Sequence, residues 1–244
     1  MTLTARRIEA ILFDKDGTLF DFAATWNAWA DALLARLAGP DRGRAEALAA
    51  AIGFDRATCR FLPESPVIAG TTREAALRLL PHLPDARLER LEALLVAEAA
   101  RAPQVPAVPL APLLDALAAR GLRLGVATND AAAAARAHLD AAGVADRFDF
   151  VAGYDSGFGG KPAPGQLLAF ADAVGIPPAR IAMVGDSLHD LHAARAAGMT
   201  ALAVLTGPAT AADLQDAADA VLPHIGGLPG WLDAAAPSLR TAHR

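Results

Sequence analysis

Short, largely apolar runs recur along the chain, and a polar residue follows almost every one of them. Residues 8–13, 122–128, 148–153, 181–185 and 201–205 form such runs, each of a length and composition that predicts a buried β-strand. Between the later runs, residues 131–142, 165–174 and 188–197 carry the longer, more regular pattern of helices. Alternation of this kind predicts βαβ units, and hence a Rossmann-like α/β fold, a parallel sheet with helices on both faces.

The first run breaks the rhythm. After residue 13 no comparable strand pattern appears until about residue 122, and the interval reads as helical over residues 23–37, 44–52, 72–80 and 85–100. A proline-rich passage at 103–112 leads into a helix over 113–120, with Gly121 placed to end it. The simplest organisation is an α/β core formed by residues 1–19 and 106–244, with an all-α insertion over 20–105. The alanine-dense segment at 131–135 reads as helix interior, and the tail after Pro237 is expected to fray.

Composition narrows the picture. Apolar residues make up 54% of the 244 and aromatics only 5%, so the core must be built mainly from Leu, Val, Ile and Ala. The net charge is −5 and there is no sustained basic run, which argues against nucleic acid or an anionic membrane as the main partner. A small anionic ligand remains compatible, because a local site can be cationic on an acidic protein. Cys59 is the only cysteine, so there is neither an internal disulfide nor a cysteine-based zinc site. The first seven residues carry two arginines, but the apolar run behind them stops at Phe13, too short for a signal-peptide core. No stretch approaches the ~18 apolar residues of a membrane helix. These features together predict a cytoplasmic protein.

In an open parallel sheet, ligands bind beyond the carboxyl ends of the strands. The first predicted strand runs into Asp14-Lys15-Asp16-Gly17-Thr18. Two carboxylates two apart on an extended segment point the same way and repel unless a cation lies between them. Mg²⁺ suits that role, since it takes a few protein oxygens, retained waters and a phosphate. The second ends in Thr128-Asn129, a hydroxyl and an amide at a helix start. Past the third, a glycine-rich loop delivers Lys161-Pro162, with the lysine backbone held extended by the proline. The fourth ends in Asp186, followed by Asp190.

Each feature also has an ordinary reading: a polar turn, a helix cap, a solvent-exposed lysine, an acid complementing a helix dipole. His189 and His192, three apart, offer a transition-metal pair with Asp186, against a plainer surface position. Taken in order, however, the four strand ends bring together a carboxylate nucleophile, metal-holding carboxylates, and cationic and hydrogen-bonding groups for phosphoryl oxygens.

At residues 8–207 the chain resembles the phosphatase branch of the haloacid dehalogenase superfamily, most closely its phosphoglycolate phosphatase-like members. Asp14-Lys15-Asp16-Gly17-Thr18 is similar to that family's first motif, Thr128 and Asn129 to its second, Lys161-Pro162 to its third, and the segment from Gly185 to Asp190 to its fourth. The insertion after the first motif resembles a helical, C1-type cap. The resemblance implies a Mg²⁺-dependent phosphatase acting on a small phosphomonoester, phosphoglycolate-like in kind, through an aspartyl-phosphate on Asp14. Asp16 would protonate the leaving group and then activate water. Asp14, the backbone carbonyl of Asp16, and Asp186 would hold the metal, supported by Asp190, while Gly17 and Thr18 shape the turn. Thr128, Asn129 and Lys161 would hold the phosphoryl oxygens. A β-phosphoglucomutase-like phosphotransferase and a non-catalytic binding protein on the same scaffold are the alternatives. The insertion carries Arg56, Arg60 and Arg73 along with Ser65, Thr71 and Thr72. A carboxylated substrate would want one of these arginines, although solvated surface charge is the plainer reading. Trp26 and Trp29 read as packing within the insertion.

Overall fold

A computed structural model of the chain describes residues 8–235, so the arginine-bearing start and the tail after Pro237 lie outside the described residues. Strand β1 (Ala10–Phe13) is followed by four helices, α1 (Phe22–Ala38), α2 (Arg42–Ala51), α3 (Thr72–Leu79) and α4 (Leu88–Ala99). Between α2 and α3 lie two short strands, β2 (Phe54–Asp55) and β3 (Arg60–Phe61). The rest alternates: α5 (Leu110–Ala118), β4 (Arg123–Ala127), α6 (Ala132–Ala141), β5 (Phe150–Ala152), α7 (Gly165–Val174), β6 (Ile181–Gly185), α8 (Leu188–Ala197), β7 (Thr200–Val204), α9 (Ala211–Leu214), β8 (Ala220–Leu222) and α10 (Leu228–Ala235).

Six strands form one parallel sheet in the order β5-β4-β1-β6-β7-β8. Central β1 pairs with β4 on one side and β6 on the other, Leu12 lying between Gly125 and Met183. All four β1 side chains are buried, and they divide by parity. Ile11 and Phe13 pack with Leu114 and Leu117 of α5 and Leu139 of α6. Ala10 and Leu12 pack with Phe170 of α7 and Leu191 of α8. The strand therefore reads as an unbroken apolar run because helices cover both faces.

The helices of the insertion have a core of their own, in which Leu33 and Leu34 of α1, Leu48 of α2, Leu79 of α3 and Leu91 and Leu95 of α4 interlock. The insertion departs from an all-α expectation through β2 and β3, an antiparallel ribbon whose Phe54 and Phe61 rings meet edge to face with centroids 5.0 Å apart. Two residues per strand are too few to set up an alternating pattern. Edge strand β8, three residues long, escapes the same reading for the same reason. Helix α5 starts at Leu110, ahead of the expected 113, because Pro112 in a first turn sacrifices no intrahelical hydrogen bond. Among the described residues no helix is long and apolar enough to cross a membrane.

Candidate active site

Four strand ends converge. The Asp14 N–H continues the ladder by donating to Val184 O at 2.8 Å, and the Thr128 N–H donates to Ala152 O at 3.0 Å. Lys161, on the loop after β5, is 5% exposed and lies between carboxylates. Its Nζ is 2.5 Å from Asp14 Oδ1 and 2.6 Å from Asp190 Oδ1, and it donates to Ala127 O at 2.7 Å. All three ammonium protons are thus directed. Burial alone would lower the Lys161 pKa, but the attraction of Asp14 and Asp190 outweighs it and raises the group above its ordinary value. The lysine is an ion-paired centrepiece rather than a solvated loop residue.

Asp14, Asp186 and Asp190 each offer a carboxylate oxygen within 4.8 Å of the others. Only two of the three buried acids, Asp14 and Asp190, pair with the one ammonium. Burial, then repulsion from Asp190 and Asp16, pushes Asp14 up to about 7, although Lys161 pulls the other way. Asp186 is raised well above the ordinary carboxylate range, chiefly by burial and then by Asp14 and Asp190. A hard divalent cation fits this donor set, since it would neutralise the excess charge with oxygen ligands. Asp190, expected only in support, stands within the trio, and it caps its helix as well: its Oδ2 accepts from the Ser187 N–H at 3.1 Å and hydroxyl at 2.6 Å. His189 and His192 are not part of the cluster.

Backbone packs tightly against Asp186. Gly17 has φ +80°, and a Cβ there would fall 2.3 Å from Asp186 Oδ2. Gly207, after β7, is closer still, with a Cβ placed at 1.7 Å from the same oxygen. Only glycine leaves room for the carboxylate at either position. Thr18 Oγ1 donates to Asp186 Oδ1 at 3.3 Å, and Thr206 Oγ1 to Gly17 O at 2.6 Å. Gly207 and Thr206 carry no motif of their own, and only their neighbours identify them.

Asp16 lies outside the trio through its side chain. Its carboxylate pairs with Lys15 Nζ at 2.6 Å and accepts the Trp26 Nε1–H at 2.9 Å. Lys15 is fully buried. Besides Asp16 it approaches Asp130 Oδ2 at 3.3 Å, His138 Nδ1 at 3.0 Å, and the Trp26 ring, whose centroid is 5.4 Å away. Burial, and next the Lys15 charge, lower the His138 pKa. A neutral imidazole follows, accepting from Lys15 at Nδ1 and donating from Nε2 to Ala99 O at 2.8 Å. Nothing in the spacing of residues 15, 130 and 138 announces this cluster.

Two expectations change. Asn129 donates from Nδ2 to Lys161 O and to Ala69 O, each at 2.8 Å, and its Oδ1 accepts the Lys161 N–H at 2.8 Å. Its side chain therefore braces the lysine loop and ties it to the insertion, and it cannot hold a phosphoryl oxygen without giving up those bonds. Thr128, buried beside it, accepts the Asp130 N–H at Oγ1, 3.0 Å away. Trp26 and Trp29 pack together, ring centroids 4.9 Å apart, but they also line the cavity that opens onto Asp14 and Asp16. That cavity, about 140 Å³ in volume, lies between the sheet and the insertion. Arg56, Arg60 and Arg73 do not line it. Arg56 pairs with Asp31 and Glu46, Arg73 with Glu92, and Arg60 is exposed.

The chain is similar to known proteins of one family. The family model for haloacid dehalogenase-like hydrolases matches residues 8–198. The chain is 34% identical over 201 residues to a phosphoglycolate phosphatase of Xylella fastidiosa, covering 81% of this chain and 80% of that one. A phosphoglycolate phosphatase of Rhodospirillum rubrum is 40% identical over 119 residues, a match spanning about half of each protein, 49%. Among solved structures, CbbY from Rhodobacter sphaeroides in complex with phosphate aligns with a TM-score of 0.69 at 26% identity, over 93% of this chain and 99% of that one. With its parallel sheet, its converging strand-end residues and a family match over most of its length, the chain belongs to the haloacid dehalogenase-like hydrolases.

Proposed function

We propose that the protein is a phosphatase that hydrolyses a small phosphomonoester through an aspartyl-phosphate on Asp14, with Mg²⁺ as its cation. One observation carries the reading. Asp14 is held by Lys161 at the end of the central strand, against Asp186 and Asp190, and Asp16 stands two residues on along the same cavity. The matched relatives named phosphoglycolate phosphatases support it.

In this reading the helical insertion, residues 20–105, is a cap domain over a core of residues 1–19 and 106–244. Lys161 fixes one Asp14 oxygen, leaving the other to attack phosphorus as the ester P–O bond breaks. The acid form of Asp16 gives the departing alkoxide a proton. The carboxylate left behind then takes one from the water that attacks the aspartyl-phosphate, which releases phosphate and restores Asp14. Lys161 and Thr128 receive the phosphoryl oxygens, the lysine exchanging part of its carboxylate pairing for phosphate. Asn129 keeps the lysine in place through the bonds at both sides of its backbone. Asp14, the backbone carbonyl of Asp16, Asp186 and Asp190 would hold Mg²⁺, which when bound polarises the phosphoryl group and offsets its charge. The cap excludes bulk water from the phosphoenzyme.

The test is phosphate release from p-nitrophenyl phosphate and a metabolite panel with Mg²⁺, combined with trapping by beryllium fluoride. Turnover that EDTA abolishes, and a Mg²⁺-dependent fluoride complex at Asp14 that Asp14→Asn prevents, are expected. No release from any ester and no complex would return the protein to a binding role.

A further inference from the structure

The cavity wall facing the carboxylates from the insertion is carbon. Trp29 and Leu33 of α1, Ile52, Phe61, Leu79 of α3 and Leu95 of α4 build it. Neither indole offers a free N–H, because Trp26 Nε1 donates to Asp16 and Trp29 Nε1 to Glu98 O. At the polar end, the hydroxyls of Thr71, Thr72 and Ser187 already donate to Glu74, Asp130 and Asp190. Among the described lining residues Lys161 is the only lysine or arginine, and it is fully engaged by Asp14, Asp190 and Ala127 O. The remaining basic group is His189, on α8 with Asp190 rather than on the apolar wall.

A substrate carboxylate reaching past its phosphate would enter this space desolvated and without a cation, which is strongly unfavourable. An apolar group would gain from the same burial. The volume of about 140 Å³, part of which the phosphate itself takes beside Asp14 and Lys161, leaves room for a compact group only.

We infer that the preferred substrate is the phosphate monoester of a compact apolar alcohol, branched alkyl or benzyl in size, whose carbon group seats against Trp29, Leu33 and Phe61. This rests on the phosphatase reading and sets its specificity away from phosphoglycolate.

The experiment compares kcat/KM of the full chain with Mg²⁺ for 3-methylbutyl phosphate, benzyl phosphate, glycerol 3-phosphate and 2-phosphoglycolate. In parallel, calorimetry compares binding of benzylphosphonate and phosphonoacetate. Single methylenes in apolar pockets discriminate by about 10- to 200-fold, so the apolar esters should exceed 2-phosphoglycolate by about 100-fold or more. Where esters are turned over, that ratio decides, and parity or preference for 2-phosphoglycolate overturns the inference. If no ester is turned over, the phosphatase reading fails on its own. The binding ratio then decides: benzylphosphonate at least about tenfold tighter upholds the apolar site, and equal binding overturns it. Ile68→Lys, which brings a cation into the wall at a half-buried position, should cut the apolar preference at least tenfold. An unchanged ratio counts against the inference. If that variant does not fold, Ile68→Ala should raise KM for 3-methylbutyl phosphate severalfold more than KM for glycerol 3-phosphate, and equal effects overturn it.

Discussion

Lys15 and Asp16, neighbours in sequence, form a buried ion pair with Nζ 2.6 Å from Oδ2, the lysine side chain fully enclosed and the carboxylate 16% exposed at the cavity. The ammonium, which does not line the cavity, holds the carboxylate from within the protein, and Trp26 adds a second bond at 2.9 Å. Removing one member of a buried pair leaves the other uncompensated, at about 3–5 kcal/mol. Lys15→Met should therefore lower unfolding free energy by about that amount in urea titrations. It should also reduce kcat by at least tenfold, because Asp16 loses its orientation, with little change in KM. A stable variant of normal kcat would show that Asp16 needs no such support.

The carboxylate cluster makes a pH-dependent difference between wild type and Asp14→Asn. Asp14 is raised to about 7, mainly by burial and then by its acidic neighbours. The native state therefore retains a proton that the unfolded chain has already lost above the ordinary value of 3.8, and stability falls as pH rises between these values, by up to ~1.4 kcal/mol per pH unit. The variant lacks this component. His138, lowered by burial and by Lys15, contributes the opposite slope in both proteins and cancels. In EDTA, the melting temperature of Asp14→Asn should gain on wild type steadily from pH 5 to pH 7.5, with turnover absent throughout.

Cation binding should reverse that trend. A ligand that binds only the native state at 100 times its Kd stabilises by ~2.7 kcal/mol, and protonated carboxylates bind Mg²⁺ poorly. Thermal melts are expected to show a clear rise with Mg²⁺ at pH 8 and little at pH 5. Equal effects at both would place the cation elsewhere.

Gly207→Ala tests the backbone that faces Asp186. The added methyl would lie 1.7 Å from Oδ2, so the carboxylate must move. Mg²⁺ affinity by calorimetry should weaken at least tenfold while the circular dichroism spectrum is retained.

Asn129→Ala removes two bonds that tie Lys161 to the second strand end and a third that ties that end to Ala69. With hydrogen bonds of this kind worth ~0.5–1.5 kcal/mol each, kcat/KM should fall by ~10- to 100-fold. Gln cannot place its amide one methylene further out without breaking the same contacts, so Asn129→Gln should rescue little.

Much of the scaffold was legible because its signals are local. The run at 181–185 and the helices at 165–174 and 188–197 coincide with the observed elements. In each, periodicity and a glycine or serine at the boundary act within a few residues. The ribbon of β2 and β3 and the edge strand β8 are too short to carry a period. The candidate site was legible as an ordered set of strand-end residues, since a parallel sheet brings successive carboxyl ends to one edge.

By itself, the amino-acid order determined which chemical groups stand at those strand ends: Asp14 and Asp16, Thr128 and Asn129, Lys161, Asp186 and Asp190. Tertiary structure alone decided their partners. It engaged the Asn129 amide with the Lys161 backbone, drew Asp190 into the acidic trio, turned Lys15 inward to Asp16 and His138, and closed an apolar wall over the site from residues scattered between Trp29 and Leu95. The physical reason is that a buried charge or amide must find its counterpart wherever packing supplies one, and such counterparts lie far apart in sequence, 168 residues in the case of Thr18 and Asp186.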